Sequence, residues 1–181
     1  MVIYSLYQSL RSCGVDKMLI STSYFYRIRQ FLPNMIPVST CMWDPAWFHS
    51  NGHNGIIFKD KRGLVNGIRF EYMIVQGDVL HRCPCEEEDY TTCGFLKDYR
   101  AELEKLDFDF IMRQLQWLGE QRKKIDKFEG EPHIVLIVYE APYNHCSERT
   151  VLQKYFQDHG ISCQELKYPI RESDYYGIYG Q

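Results

Sequence analysis

The chain has 181 residues, of which 45% are apolar, 15% aromatic and 25% charged, with a formal net charge of −3. That length suits one domain with a real core, and so many aromatic side chains exclude a natively unfolded chain. A near-neutral charge argues against a general nucleic-acid coat, while a local basic patch stays open. No apolar run approaches the roughly 18 residues needed to cross a bilayer. The longest, Ile134 to Tyr139, has six.

Taken in chain order, residues 1–17 read as a loosely attached extension and residues 18–181 as a single α/β domain. The first residues lack a basic start and an apolar segment, so they do not read as a secretory signal. Met18 to Ser23 is short, β-branched and apolar, which predicts a strand. The aromatic and basic Tyr24 to Arg29 then forms a loop or short helix. Met35 to Cys41 predicts a second strand, with Pro37 favouring an edge position or a late start. Residues 49–67 hold four glycines, at 52, 55, 63 and 67, and read as a turn-rich excursion. Arg69 to Val75 is a third candidate strand.

Phe95, Leu96, Tyr99, Leu103 and Leu106 recur at helical spacing, as do Phe108, Ile111, Leu115 and Leu118. Asp107 suits the N-cap of the second helix, and Lys123, Lys124 and Lys127 suit its C-terminal end. Ile134 to Tyr139 is unbroken and apolar, as in a strand buried on both faces. A helix from about Glu148 to His159 follows, with Ser147 at its start and Gly160 past its end. Ile161 to Leu166 is the last candidate strand. Strands alternating with amphipathic helices predict a Rossmann-like α/β domain with a mostly parallel sheet flanked by helices.

The junction after the buried strand carries the most chemistry. Ligands collect beyond the carboxyl ends of strands in open α/β sheets. Tyr139 and Glu140 stand there, followed by Cys146, Ser147 and Arg149. A helix amino end binds anions and lowers the pKa of a nearby thiol. Arg149 offers a planar fork for carboxylate or phosphate. In this reading Glu140 is a general base or electrostatic stabiliser, Cys146 a nucleophile or a metal ligand, and Arg149 with the helix end at Ser147 an anion holder. The competing reading has Glu140 paired with Arg149, Cys146 packed as a small apolar residue, and Ser147 acting only as a cap.

Val138-Tyr139-Glu140-Ala141-Pro142, with Cys146-Ser147-Glu148-Arg149 and Leu152, resembles the C-terminal signature of domain-of-unknown-function family 488. The resemblance extends to Thr22-Ser23-Tyr24, to Pro37-Val38-Ser39 with Pro45 and Trp47, and to Cys93-Gly94-Phe95-Leu96 with Tyr99-Arg100 and Leu106-Asp107-Phe108. Gly94 stands where the family pattern has proline. The resemblance implies the fold and the site but no substrate.

A second cluster comprises His81, Cys83, Cys85 and Cys93, four soft ligands within 13 residues. Zinc takes four such ligands in a tetrahedron. Residues i and i+2 of a strand lie roughly 6.6 Å apart, so Cys83 and Cys85 can chelate together only across a turn, which Pro84 favours. Zinc is the first candidate cofactor and an iron–sulfur cluster the second. Otherwise this is a solvated acidic loop with incidental thiols. Seven cysteines, unevenly spaced and odd in number, do not make a disulfide framework and point to the cytoplasm.

Ser23, Tyr24, Arg27, Trp47 and Tyr139 fall at expected carboxyl ends, where aromatic faces and arginine can stack on a base and hold a phosphate. Core packing and loop anchoring are the competing account of these aromatics. The standard ATP-loop and dinucleotide fingerprints are missing, as are the common zinc-protease, hydrolase and deaminase motifs. Three functions remain. One is an enzyme acting on a nucleotide, a nucleic-acid base or another small anion, with nucleic acid itself an open partner. The second is a non-catalytic, metal-stabilised binding module, and the third a redox protein.

Overall fold

In the computed structural model, residues 18–48, 67–75, 93–141 and 147–171 are described. The five strands are β1 (Leu19–Tyr24), β2 (Met35–Ser39), β3 (Ile68–Arg69), β4 (His133–Val138) and β5 (Cys163–Glu165). They form one sheet in the order β3-β2-β4-β1-β5, and every pairing is parallel. β4 lies at its centre, flanked by β1 along all six residues and by β2 along five. Ile134 to Val138 are fully buried, which requires cover on both faces and explains a run with no polar alternation.

Three helices cross between the strands: α1 (Gly94–Leu103), α2 (Phe108–Asp126) and α3 (Glu148–Asp158). Their limits follow local chemistry. Asp107 caps α2 by accepting from the Phe110 amide at 3.1 Å, and Lys127 ends it in the left-handed conformation, φ 53°. Ser147 caps α3 by accepting from the Arg149 amide at 3.3 Å, and Gly160, φ 78°, follows its end. Tyr99, Leu103, Tyr155 and Phe156 join the β4 side chains in the core. Among the described residues no helix is long and apolar enough to cross a membrane.

Two expectations change. β2 is an interior strand, with Pro37 beside Val135 of β4. β3 pairs only with Val38 and Ser39, so the other side of β2 carries no strand at Pro37, and a residue without an N–H is tolerated there. The third strand shrinks to Ile68–Arg69, because the chain turns into a 3₁₀ turn at Glu71–Met73 as soon as the Phe70 amide has bonded to Ser39 O. Gly67, just before it, is required: a Cβ there would lie 1.9 Å from the Phe48 ring.

Candidate functional site

The strand order locates a crevice. From β2 the chain continues to β3 at one edge of the sheet, and from the adjacent β4 it continues to β5 at the other. Crossovers that leave neighbouring strands in opposite directions open a cleft at their carboxyl ends, the usual ligand position of an open α/β sheet. Here that topological position lies between the ends of β2 and β4.

On the β4 side, Glu140 and Ser147 meet as the sequence predicts. The Ser147 hydroxyl, while capping α3, donates to Glu140 Oε2 at 3.2 Å. The carboxylate is thereby held at the mouth of the helix amino end. Arg149 joins them but in a different role from an open fork. Nη1 donates to Glu140 O at 3.0 Å, Nη2 to Ala141 O at 3.4 Å, and Nε lies 3.4 Å from Glu165 Oε2. Every guanidinium nitrogen is engaged and the residue is buried, so Arg149 fastens the loop and positions Glu140 instead of offering free donors to an anion. Cys146, the expected nucleophile, lies outside the described residues.

Behind this arrangement runs a polar network that periodicity alone does not reveal. Thr22 of β1 donates to Glu165 Oε2 at 2.7 Å and accepts from Gln153 of α3 at 2.6 Å. Burial raises the Glu165 pKa, while the Thr22 hydroxyl and Arg149 act in the opposite direction. On the other face of β1, Ser21 Oγ lies 2.8 Å from His133 Nε2, and burial lowers the pKa of that imidazole to about 4.

The β2 side contributes residues the sequence reading missed. Cys41 is buried, its thiol 3.5 Å from Ile137 O, where the Thr40 amide also donates at 3.1 Å. Burial, then Glu148, Glu140 and Asp44, push its pKa far up, so it is a neutral thiol. Asp44 accepts from Ser39 Oγ and faces Arg69 of β3 at 3.7 Å. Glu148, the first residue of α3, is also buried, and burial followed by the Glu140 charge raises its pKa to about 8. The available signal for Glu148 was its place between Ser147 and Arg149; its burial depends on the packing of α3 against α1 and β1.

The remaining expected ligand residues lie at the carboxyl ends of β1, β2 and β4. Ser23 is buried, its hydroxyl 2.6 Å from that of Tyr168. Arg27 donates to Tyr24 Oη at 2.9 Å, and its guanidinium lies 4.6 Å from the Tyr168 ring centre. Trp47 packs edge-on against Phe25 with ring centres 6.0 Å apart. Tyr139 meets the same Phe25 at 6.1 Å while 64% exposed. Packing thus accounts for Trp47, and Tyr139 remains an open aromatic face beside Glu140.

Of the expected metal ligands, His81, Cys83 and Cys85 lie outside the described residues. Cys93 is 1% exposed, at the N-cap position of α1 among apolar core side chains. Among the described residues no group of three or more histidine, cysteine, aspartate or glutamate side chains is placed to hold a metal ion. Comparison of the chain with family models, curated proteins and solved structures finds no match.

Proposed function

We propose that this protein is an enzyme acting on a nucleotide or a nucleic-acid base, bound in the crevice between the carboxyl ends of β2 and β4. The observation that carries this reading is the Glu140 carboxylate, anchored by Ser147 at the amino end of α3 where the two crossovers diverge. Glu140 acts as general base or electrostatic stabiliser, and the exposed Tyr139 ring offers a stacking face for a planar base. Arg149 is a positioning residue: it fixes the main chain at Glu140 and Ala141. Membership of family 488 is part of the proposal. The described residues that support it are Thr22-Ser23-Tyr24 of β1, Pro37-Val38-Ser39 of β2, Phe95-Leu96 and Tyr99-Arg100 of α1, and Tyr139-Glu140 with Ser147-Glu148-Arg149.

Replacement of Glu140 by glutamine tests it, because the half-buried carboxylate is not a core element. The variant is expected to unfold at the same urea concentration as the parent. Its affinity for nucleosides and their 5′-monophosphates, measured by calorimetry, is expected to fall at least about tenfold, the loss of one charge-assisted contact. Equal affinities in both proteins would remove Glu140 from the site.

A further inference from the structure

Glu148 has no part in that scheme, yet among the described acidic residues with a sealed, unpartnered carboxyl oxygen (Asp44, Glu131, Glu148 and Glu165) it is the one that is buried as a whole. It is 7% exposed, and its Oε2 is sealed from solvent with no hydrogen-bond partner among the described residues. A carboxyl group in the first turn of a helix usually sits in water, where the dipole favours its charge. Here the residue is buried, on a helix that packs against α1 and β1. The groups close enough to feel its charge are Glu140 after β4, Cys41 after β2 and Tyr99 of α1.

None of these groups satisfies it. The Tyr99 hydroxyl donates to Met73 O at 2.6 Å, and the Cys41 thiol donates to Ile137 O at 3.5 Å. Glu140 is a second carboxylate and opposes ionisation of the first. Arg149, the next residue, turns its guanidinium to Glu165 and to the carbonyls of Glu140 and Ala141. Leaving a buried polar atom unpaired costs about 1–3 kcal/mol, a cost that a ligand supplying the partner removes.

We propose that Glu148 is the proton-donating acid of the crevice, and that the ligand is a heterocycle presenting an unprotonated ring nitrogen to it, as adenine and cytosine do. This deepens the reading of the crevice as a nucleotide or base site and rests on it. In the step, the Glu148 O–H bond breaks and the proton passes to the ring nitrogen. The heterocycle becomes a cation between two carboxylates, Glu148 and Glu140. When the ligand leaves neutral, repulsion between the two carboxylates returns the proton to Glu148. Uracil carries a hydrogen on the corresponding ring nitrogen and cannot accept there.

The test is calorimetric binding of cytidine, adenosine and uridine to the parent and to Glu148→Gln at about pH 7 and about pH 9, a range that brackets ionisation of the acid. Circular dichroism of both proteins reports folding, and an infrared titration reports the carboxyl proton directly. The parent is expected to bind cytidine and adenosine at least about tenfold more tightly than uridine at the lower pH, and to lose most of that preference at the higher. Glu148→Gln is expected to show no pH dependence and no carboxyl titrating near 8. Nucleoside binding without preference or pH dependence, or a parent with no such carboxyl, overturns the donor role and leaves the ligand site standing. No binding of any nucleoside overturns both.

Discussion

Two carboxyl groups flank the first turns of α3, Glu148 buried and Glu165 half-buried, and their surroundings differ in sign. Glu165 accepts from Thr22 at 2.7 Å and faces the Arg149 guanidinium at 3.4 Å. Glu148 faces Glu140, and no cation among the described residues acts on it. Burial raises the proton affinity of both. A hydroxyl and a cation counter the rise at Glu165, whereas a second carboxylate adds to it at Glu148. The first arrangement fastens α3 to β1 and β5. The second is a buried carboxyl with an unpartnered oxygen near another acid, and the proposed donor role starts from that geometry.

The sharpest way to break this comparison is to remove the cation. Arg149→Ala leaves the half-buried Glu165 without its cation and frees two carbonyls, so unfolding in urea is expected to become easier by about 2–3 kcal/mol. A loss under about 1 kcal/mol would mean that the guanidinium does not support Glu165.

The pH dependence of stability reads the other carboxyl. Glu148 has a folded pKa near 8, above its ordinary value of 4.5, so the folded state holds the extra proton between those values and stability falls as pH rises through that window. His133 has a folded pKa near 4, below its ordinary 6.5, so stability falls as pH drops from 6.5 to 4. The two slopes oppose each other between 4.5 and 6.5, and from 6.5 to 8 the Glu148 decline runs without the opposing His133 slope. That decline amounts to on the order of 2 kcal/mol and is expected to disappear in Glu148→Gln. Urea titrations across the range measure it, and a decline that persists in the variant belongs to another group.

The smallest effect is at the cap the two carboxyl regions share. Ser147→Ala loses the bond to the Arg149 amide and the bond to Glu140, and is expected to cost about 1 kcal/mol by thermal unfolding. Ser147→Thr keeps the oxygen and is expected to recover most of it.

Much of the β4–α3 site was legible because it is local. Glu140, Ser147 and Arg149 lie within ten residues, and a strand followed by a capped helix must bring them together. The same locality explains why Asp107, Ser147 and Gly160 marked the helix ends correctly. What Arg149 binds was not legible, for the opposite reason. Its partner Glu165 arrives from a strand on the far side of β1, through a network whose Thr22 hydroxyl is 143 positions away from it. Cys41 and Asp44 were passed over because no period or motif marks them; they matter only once β2 lies against β4.

Periodicity, capping and the unbroken apolar run at Ile134 to Val138 were enough to determine a parallel α/β domain and the place of its most polar junction, since each acts over one or two turns of chain. Strand order was beyond them, and Pro37 even argued against the interior position that β2 occupies. The tertiary structure decided which carboxyl group gains a cation and which is sealed beside another acid. Burial and charge compensation are properties of neighbours in space, and those neighbours come from strands and helices far apart in the chain.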